Sequence, residues 1–122
     1  MSSTLILSKF KDNIIIFLDE MIEVFNEKEF IVFRVMIDNV SINKIMHTFV
    51  EDIIPLKEKI RNRELKGFFE VKQQDEKTTL FMNCIYKILQ SDNVDDETKQ
   101  VIWTWLDQFV KLAERYHQFK NT

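Results

Sequence analysis

Glycine and proline are nearly missing, with one of each in 122 residues. Turns between strands draw on both, and helix interiors suffer most from them, so a multi-stranded β fold is disfavoured. A single glycine also removes the glycine-rich loops that cradle phosphates, and with them the common nucleotide signatures. The lone cysteine, Cys84, cannot form an intramolecular disulfide. No basic start followed by a long apolar stretch marks a secretory signal, and the longest uninterrupted apolar run, Ile14 to Leu18, falls far short of the roughly 20 residues that span a bilayer. An intracellular chain that is neither secreted nor membrane-spanning is the expectation.

What is present supports one folded unit. The length suits a single helical domain over residues 1–122. With 45% hydrophobic and 30% charged residues the chain has enough apolar material for a core and no need to stay disordered. A formal charge of −3 argues against a general nucleic-acid binder, which presents a net basic field.

Apolar residues recur at helical spacing. Leu7, Phe10, Ile14, Phe17, Met21 and Phe25 line one face of a helix from about Thr4 to Asn26, and Ile16 interrupts its polar side. Residues 30–37 (FIVFRVMI) are apolar almost all round, which period alone does not assign. Helix is preferred, because the only partner for a strand would be Phe68 to Val71. Arg34 within that segment is expected to extend its head to solvent or to find an acidic partner. Ser41 is a suitable cap for a third helix with Ile42, Ile45, Met46, Phe49 and Ile53 on its stripe. Pro55 breaks it and suits the first turn of a fourth helix reaching Glu64, with Gly67 as the stop. Lys72 to Lys77 are read as a loop or a frayed helix start, before a fifth helix built on Phe81, Ile85, Ile88 and Leu89. Asn93 or Asp95 caps a sixth, whose polar row (Gln100, Thr104, Asp107, Lys111, Glu114, Gln118) opposes Ile102, Trp105, Leu106, Phe109, Ala113 and Tyr116. The expected fold is an all-α, compact bundle of five or six helices.

No constellation specifies chemistry. Cys84 with His47 or His117 lacks a local signature and falls in mid-helix, away from an activating N-terminus, so it reads as a core residue. Asp92, Asp95, Asp96 and Glu97 lack the glycine and the closing glutamate of a calcium loop, and helix capping accounts for them. The expectation is therefore no catalytic residue, no metal and no cofactor.

Two surface features remain. Lys57, Lys59, Arg61, Arg63 and Lys66 form a candidate basic patch at helical spacing; a solvated helix face is the plain reading and phosphate contact the other. At about 100° per residue, Trp103 falls roughly 60° from the middle of the last helix's polar row, with Val110 two turns further on the same flank. Either a neighbouring helix covers this strip, or Trp103 and Val110, together with Ile16, are candidate interface residues in a self-associating or partner-binding surface.

The stretches FVEDIIPLKEKIRNRELKGFF (Phe49 to Phe69) and DDETKQVIWTWLDQFVKLA (Asp95 to Ala113) resemble a family of small helical proteins encoded by nucleocytoplasmic large DNA viruses. That family combines a proline-preceded basic segment with a terminal tryptophan helix. Lys66 and Gly67 stand as an insertion against its pattern. The resemblance implies a viral origin, a helical fold, and residence in host cytoplasm or virion, and it carries over no catalytic residue. The function expected is non-enzymatic, through protein–protein contacts, as a virion component or a host or replication factor. The alternatives are a viral Bcl-2-like inhibitor of apoptosis, although no Asn-Trp-Gly-Arg groove motif occurs, and a nucleic-acid accessory protein using the basic patch.

Overall fold

In the computed structural model, residues 3–65 and 76–120 are described. The three-and-four spacing of the first segment produces α1, Ser3–Phe25, which buries Ile6, Phe10, Ile14, Phe17, Leu18 and Met21. It ends at Asn26, whose φ of 49° is left-handed. After glycine, asparagine tolerates that region best, and its N–H still reaches the Ile22 carbonyl at 2.9 Å.

The segment that period left open is a helix, α2, Lys28–Asn39, with Phe30, Phe33, Met36 and Ile37 inward. Its apolar surplus is exposed at Ile31, Val32 and Val35. Arg34 finds its acidic partners: Nε lies 3.1 Å from Asp19 Oδ1 on α1 and Nη1 lies 2.9 Å from Asp38 Oδ1. Those hydrogen bonds, to Asp38 first and then Asp19, raise its pKa further.

Ser41 caps α3, Ile42–Asp52, its Oγ accepting the Lys44 N–H at 3.4 Å. Pro55 then sits in the first turn of a short 3₁₀ segment, Ile54–Leu56, which runs directly into α4, Lys57–Arg61. The fourth helix therefore ends three residues short of the expected Glu64. Arg63, at φ 57°, takes the left-handed position that glycine usually fills. The Glu64 N–H bonds the Lys59 carbonyl at 2.8 Å and the Arg63 N–H bonds that of Ile60 at 3.2 Å, closing the end by the Schellman pattern. Gly67, the expected stop, lies outside the described residues, as do Phe68 to Val71 and most of Lys72 to Lys77. Glu76 and Lys77 already belong to α5, Glu76–Gln90. Asp95 caps α6, Asp96–Lys120, by accepting the Thr98 N–H at 2.8 Å.

These helices form an all-α bundle, with no strand among the described residues. α1 packs against α2, α3 and α6; α5 lies on α2; α3 and α4 both lie on α6. Phenylalanines fill the centre. Phe109 meets Phe10, Phe17 and Phe49 edge-on at centroid distances of 6.3, 5.4 and 6.0 Å. Phe81 stacks on Phe33 at 4.4 Å and meets Phe17 at 6.1 Å. No helix of the described residues is long and apolar enough to cross a membrane.

Replacing Phe109, fully buried among three rings, with alanine should cost about 3 to 5 kcal/mol of unfolding free energy in a denaturant titration. Thr104→Ala, on the exposed side of α6, should stay within about 0.5 kcal/mol. Similar losses from the two would mean that α6 is turned the other way.

Candidate functional site

Pro55 redirects the chain so that α4 lies across α6, and this crossing decides the fate of both expected surface features. Of the basic patch, Lys57 Nζ lies 3.3 Å from Glu114 Oε2, Arg63 Nη1 lies 2.8 Å from Asp107 Oδ2, and Arg61 Nη1 lies 3.4 Å from a Glu58 oxygen. Lys59 is partly buried, and Lys66 lies outside the described residues. The segment is thus a charge-paired helix face rather than a row of cations turned to solvent.

The same crossing corrects the tryptophan strip. Trp103 and Val110 are 5% and 6% exposed, and the Arg63 guanidinium stands 5.7 Å from the centre of the Trp103 ring. Trp105, expected to point inward, is the less buried of the two tryptophans, its ring 5.8 Å from Phe17 and 5.9 Å from Phe109. The buried arc of α6 runs from Leu112 to Trp103, about 180° at 100° per residue, wider than the stripe read from the sequence. Ile16 is exposed as expected, but with its two companions covered it belongs to no shared patch with them.

The structure separates the cysteine from the histidines. Cys84 is buried on α5, its Sγ and the carboxylate oxygens of Glu27 and Glu29 lying within 4.8 Å of one another. Neither glutamate was singled out in the sequence, because the turn before α2 brings them to α5 only in three dimensions. Burial, followed by the Glu29 and Glu27 charges, pushes the thiol up to about 12. A thiol held protonated at neutral pH is a poor nucleophile and a poor metal ligand. Asp52 was also missed, although it lies three residues after Phe49 on the stripe of α3 and is buried at 2% exposure.

His47 and His117 border a different feature, an open groove of about 840 Å³. The second half of α2 with its C-cap (Phe33, Met36, Val40), the length of α3, and the last turns of α6 (Tyr116, His117, Lys120) line it. Ile45, Phe49 and Val50 lie along its α3 side. The polar edge consists of Asn43, Lys44, His47, Thr48, Glu51, His117 and Lys120. His47 Nε2 is 3.9 Å from Glu51 Oε1, beyond hydrogen-bond reach, so the two do not form an oriented acid–base pair. An apolar interior with a charged edge can desolvate apolar side chains and select among ligands by charge. Three separate helices supply this lining, which no single stretch of sequence foreshadows.

Comparison with protein-family models, with curated proteins and with solved structures gives no match for this chain.

At position 63 the left-handed backbone and the side-chain contacts pull in opposite directions. Arg63→Ala should lose the Asp107 and Trp103 contacts while keeping the backbone strain. Arg63→Gly loses the same contacts but relieves the strain, so it should unfold at higher denaturant, by about 1 kcal/mol. Equal stability of the two variants would contradict a strained position 63.

The Cys84 thiol predicts a pH dependence. In the unfolded chain it ionises near its ordinary 9.0, in the native fold near 12. Between those values the native state holds the extra proton, so its stabilising contribution is complete below pH 9 and is lost as pH rises toward 12. Relative to Cys84→Ala, the wild type should therefore lose unfolding free energy across that window. Parallel pH profiles would show that the thiol is not held protonated.

Proposed function

We propose that this chain is a non-catalytic helical module that works by binding another protein, in keeping with its resemblance to small helical proteins of large DNA viruses, as a virion component or a host or replication factor. The observation that carries the reading is the groove of about 840 Å³ between α2, α3 and α6, apolar along Phe33, Met36, Ile45 and Phe49 and edged by polar side chains. Such a lining suits side chains of a partner that leave water on docking.

Two further observations weigh against the other classes. The Cys84 thiol, pushed up to about 12, faces two carboxylates instead of a histidine, which disfavours nucleophilic catalysis. Lys57, Arg61 and Arg63 each face a carboxylate, which removes most of the free positive charge that a phosphate backbone would require.

The test is site-specific photo-crosslinking in host cells, with the reactive side chain at Thr48 in the groove or at Gln108 on the exposed face of α6. Protein adducts concentrated at Thr48, and competed away by excess unlabelled chain, are the expected result. Equal labelling from both sites, or no protein adduct from Thr48, would overturn the reading.

A further inference from the structure

We infer that the groove seats an amphipathic helix of acidic character from a partner protein, its apolar stripe on the groove interior and its carboxylates against Lys44 and Lys120. The inference rests on the protein-binding reading above and adds the conformation and charge of what is bound.

The shape argues for a helix. The lining stretch of α3, Asn43 to Glu51, rises about 12 Å at 1.5 Å per residue, which matches the span of an i, i+3, i+4, i+7 set of anchors. The groove is open on one side and flanked by the ends of α2 and α6, so a further helix laid over α3 would be held on two sides. Half-buried Val40 and Val50 and the exposed edges of Met36 and Tyr116, each 9% exposed, offer it apolar surface over a floor of buried Ile45 and Phe49.

The charge argues for acid. The chain as a whole carries −3, yet the groove edge reverses that sign: Lys44 and Lys120 stand against one acid, Glu51. Among the described residues neither lysine has a carboxylate within 4.0 Å, and Lys120 Nζ instead stands 5.8 Å from the centre of the Tyr116 ring. Elsewhere the cations of Arg34, Lys57, Arg61, Arg63 and Lys87 are matched by acidic side chains, whereas Lys9, Lys11, Lys99, Lys111 and Arg115, equally without an ion pair among the described residues, do not line this groove. Two unmatched lysines beside an apolar groove attract and orient a ligand with acidic flanks and repel one with basic flanks. They also disfavour a second copy seated by two-fold symmetry, because that arrangement would bring Lys44 and Lys120 of the two copies onto the same interface.

Two synthetic peptides of about four helical turns test the inference, both with leucines at the i, i+3, i+4, i+7 positions. One has glutamates flanking the leucines, and the other has lysines there. Fluorescence anisotropy at low salt should give at least about tenfold tighter binding of the glutamate peptide, with the difference shrinking as salt screens the edge. Amide shift changes should map to α3 and the ends of α2 and α6. The double variant Lys44→Glu/Lys120→Glu should reverse the preference, while Lys9→Glu/Lys111→Glu, which makes the same change of net charge on exposed positions outside the groove lining, should keep it. Circular dichroism confirms that each variant is folded. Equal binding of the two peptides, a preference unmoved by the groove variant, shift changes centred on Ile31, Val32 and Val35, or self-association that occludes the groove would each overturn the acidic-helix assignment. Crosslinking from Thr48 without any peptide preference would leave the protein-binding reading standing and remove only this one; failure of both experiments would remove both.

Discussion

The bundle depends on the mutual packing of phenylalanines from its five longer helices. Phe109 of α6 contacts rings from α1 and α3, and Phe81 of α5 contacts rings from α1, α2 and α3. Phe17 and Phe49 belong to both groups, so the two halves of the core share walls. Most of these contacts are edge-to-face, the arrangement the ring quadrupole prefers, each worth about 0.5 to 1.5 kcal/mol beyond the area it buries. Such geometry fixes the relative rotation of the helices as well as their proximity. The apolar stripe alone does not, because leucine-like side chains tolerate sliding.

α4 is too short to persist alone and is held by what it covers. Its ion pairs with α6 join partly exposed groups, and pairs of that kind contribute up to about 1 kcal/mol each. Full burial of Leu56 and Ile60 contributes more, about 1.5 to 3 kcal/mol per side chain. Burial holds the crossing, and the ion pairs set its register by placing Lys57 over Glu114 and Arg63 over Asp107, seven residues apart on one side of α6. Arg63 joins the two effects. Its guanidinium bonds the Ile60 carbonyl at 2.8 Å, pairs with Asp107 and lies by Trp103, which accounts for an arginine persisting where glycine is usual.

The groove is a consequence of how three helices pack. The second half of α2 and the last turns of α6 complete its lining along α3, with apolar side chains turned inward from all three. The exposed Ile31, Val32 and Val35 make a second apolar surface on α2, where Val32 borders only a smaller pocket of about 160 Å³ with Phe33 and Leu80. The larger groove is the one with room to remove several of a partner's side chains from water.

Local physics made the elements legible in the sequence. The spacing of Phe10, Ile14, Phe17 and Met21, the caps at Ser41 and Asp95, and the break at Pro55 each depend on residues within a few positions of one another, and each holds in the fold. Where a helix face points depends on which segments return to it from far along the chain. Trp103 and Val110 flank a polar row in sequence and became core because α4 crosses α6, bringing Arg63 to Asp107 and Lys57 to Glu114. The end of α4 at Arg63 in place of Gly67 follows from those same distant contacts, which compensate a strained backbone. Glu27 and Glu29 meet Cys84, and residues of α2, α3 and α6 enclose one groove, only after the helices pack. The sequence by itself therefore determined the helices and their inward stripes, because hydrophobic period and capping are local. The tertiary structure alone decided which remaining side chains are covered, paired or left around a groove, because that depends on contacts between residues far apart in the chain, such as Phe10 with Phe109 and Lys57 with Glu114.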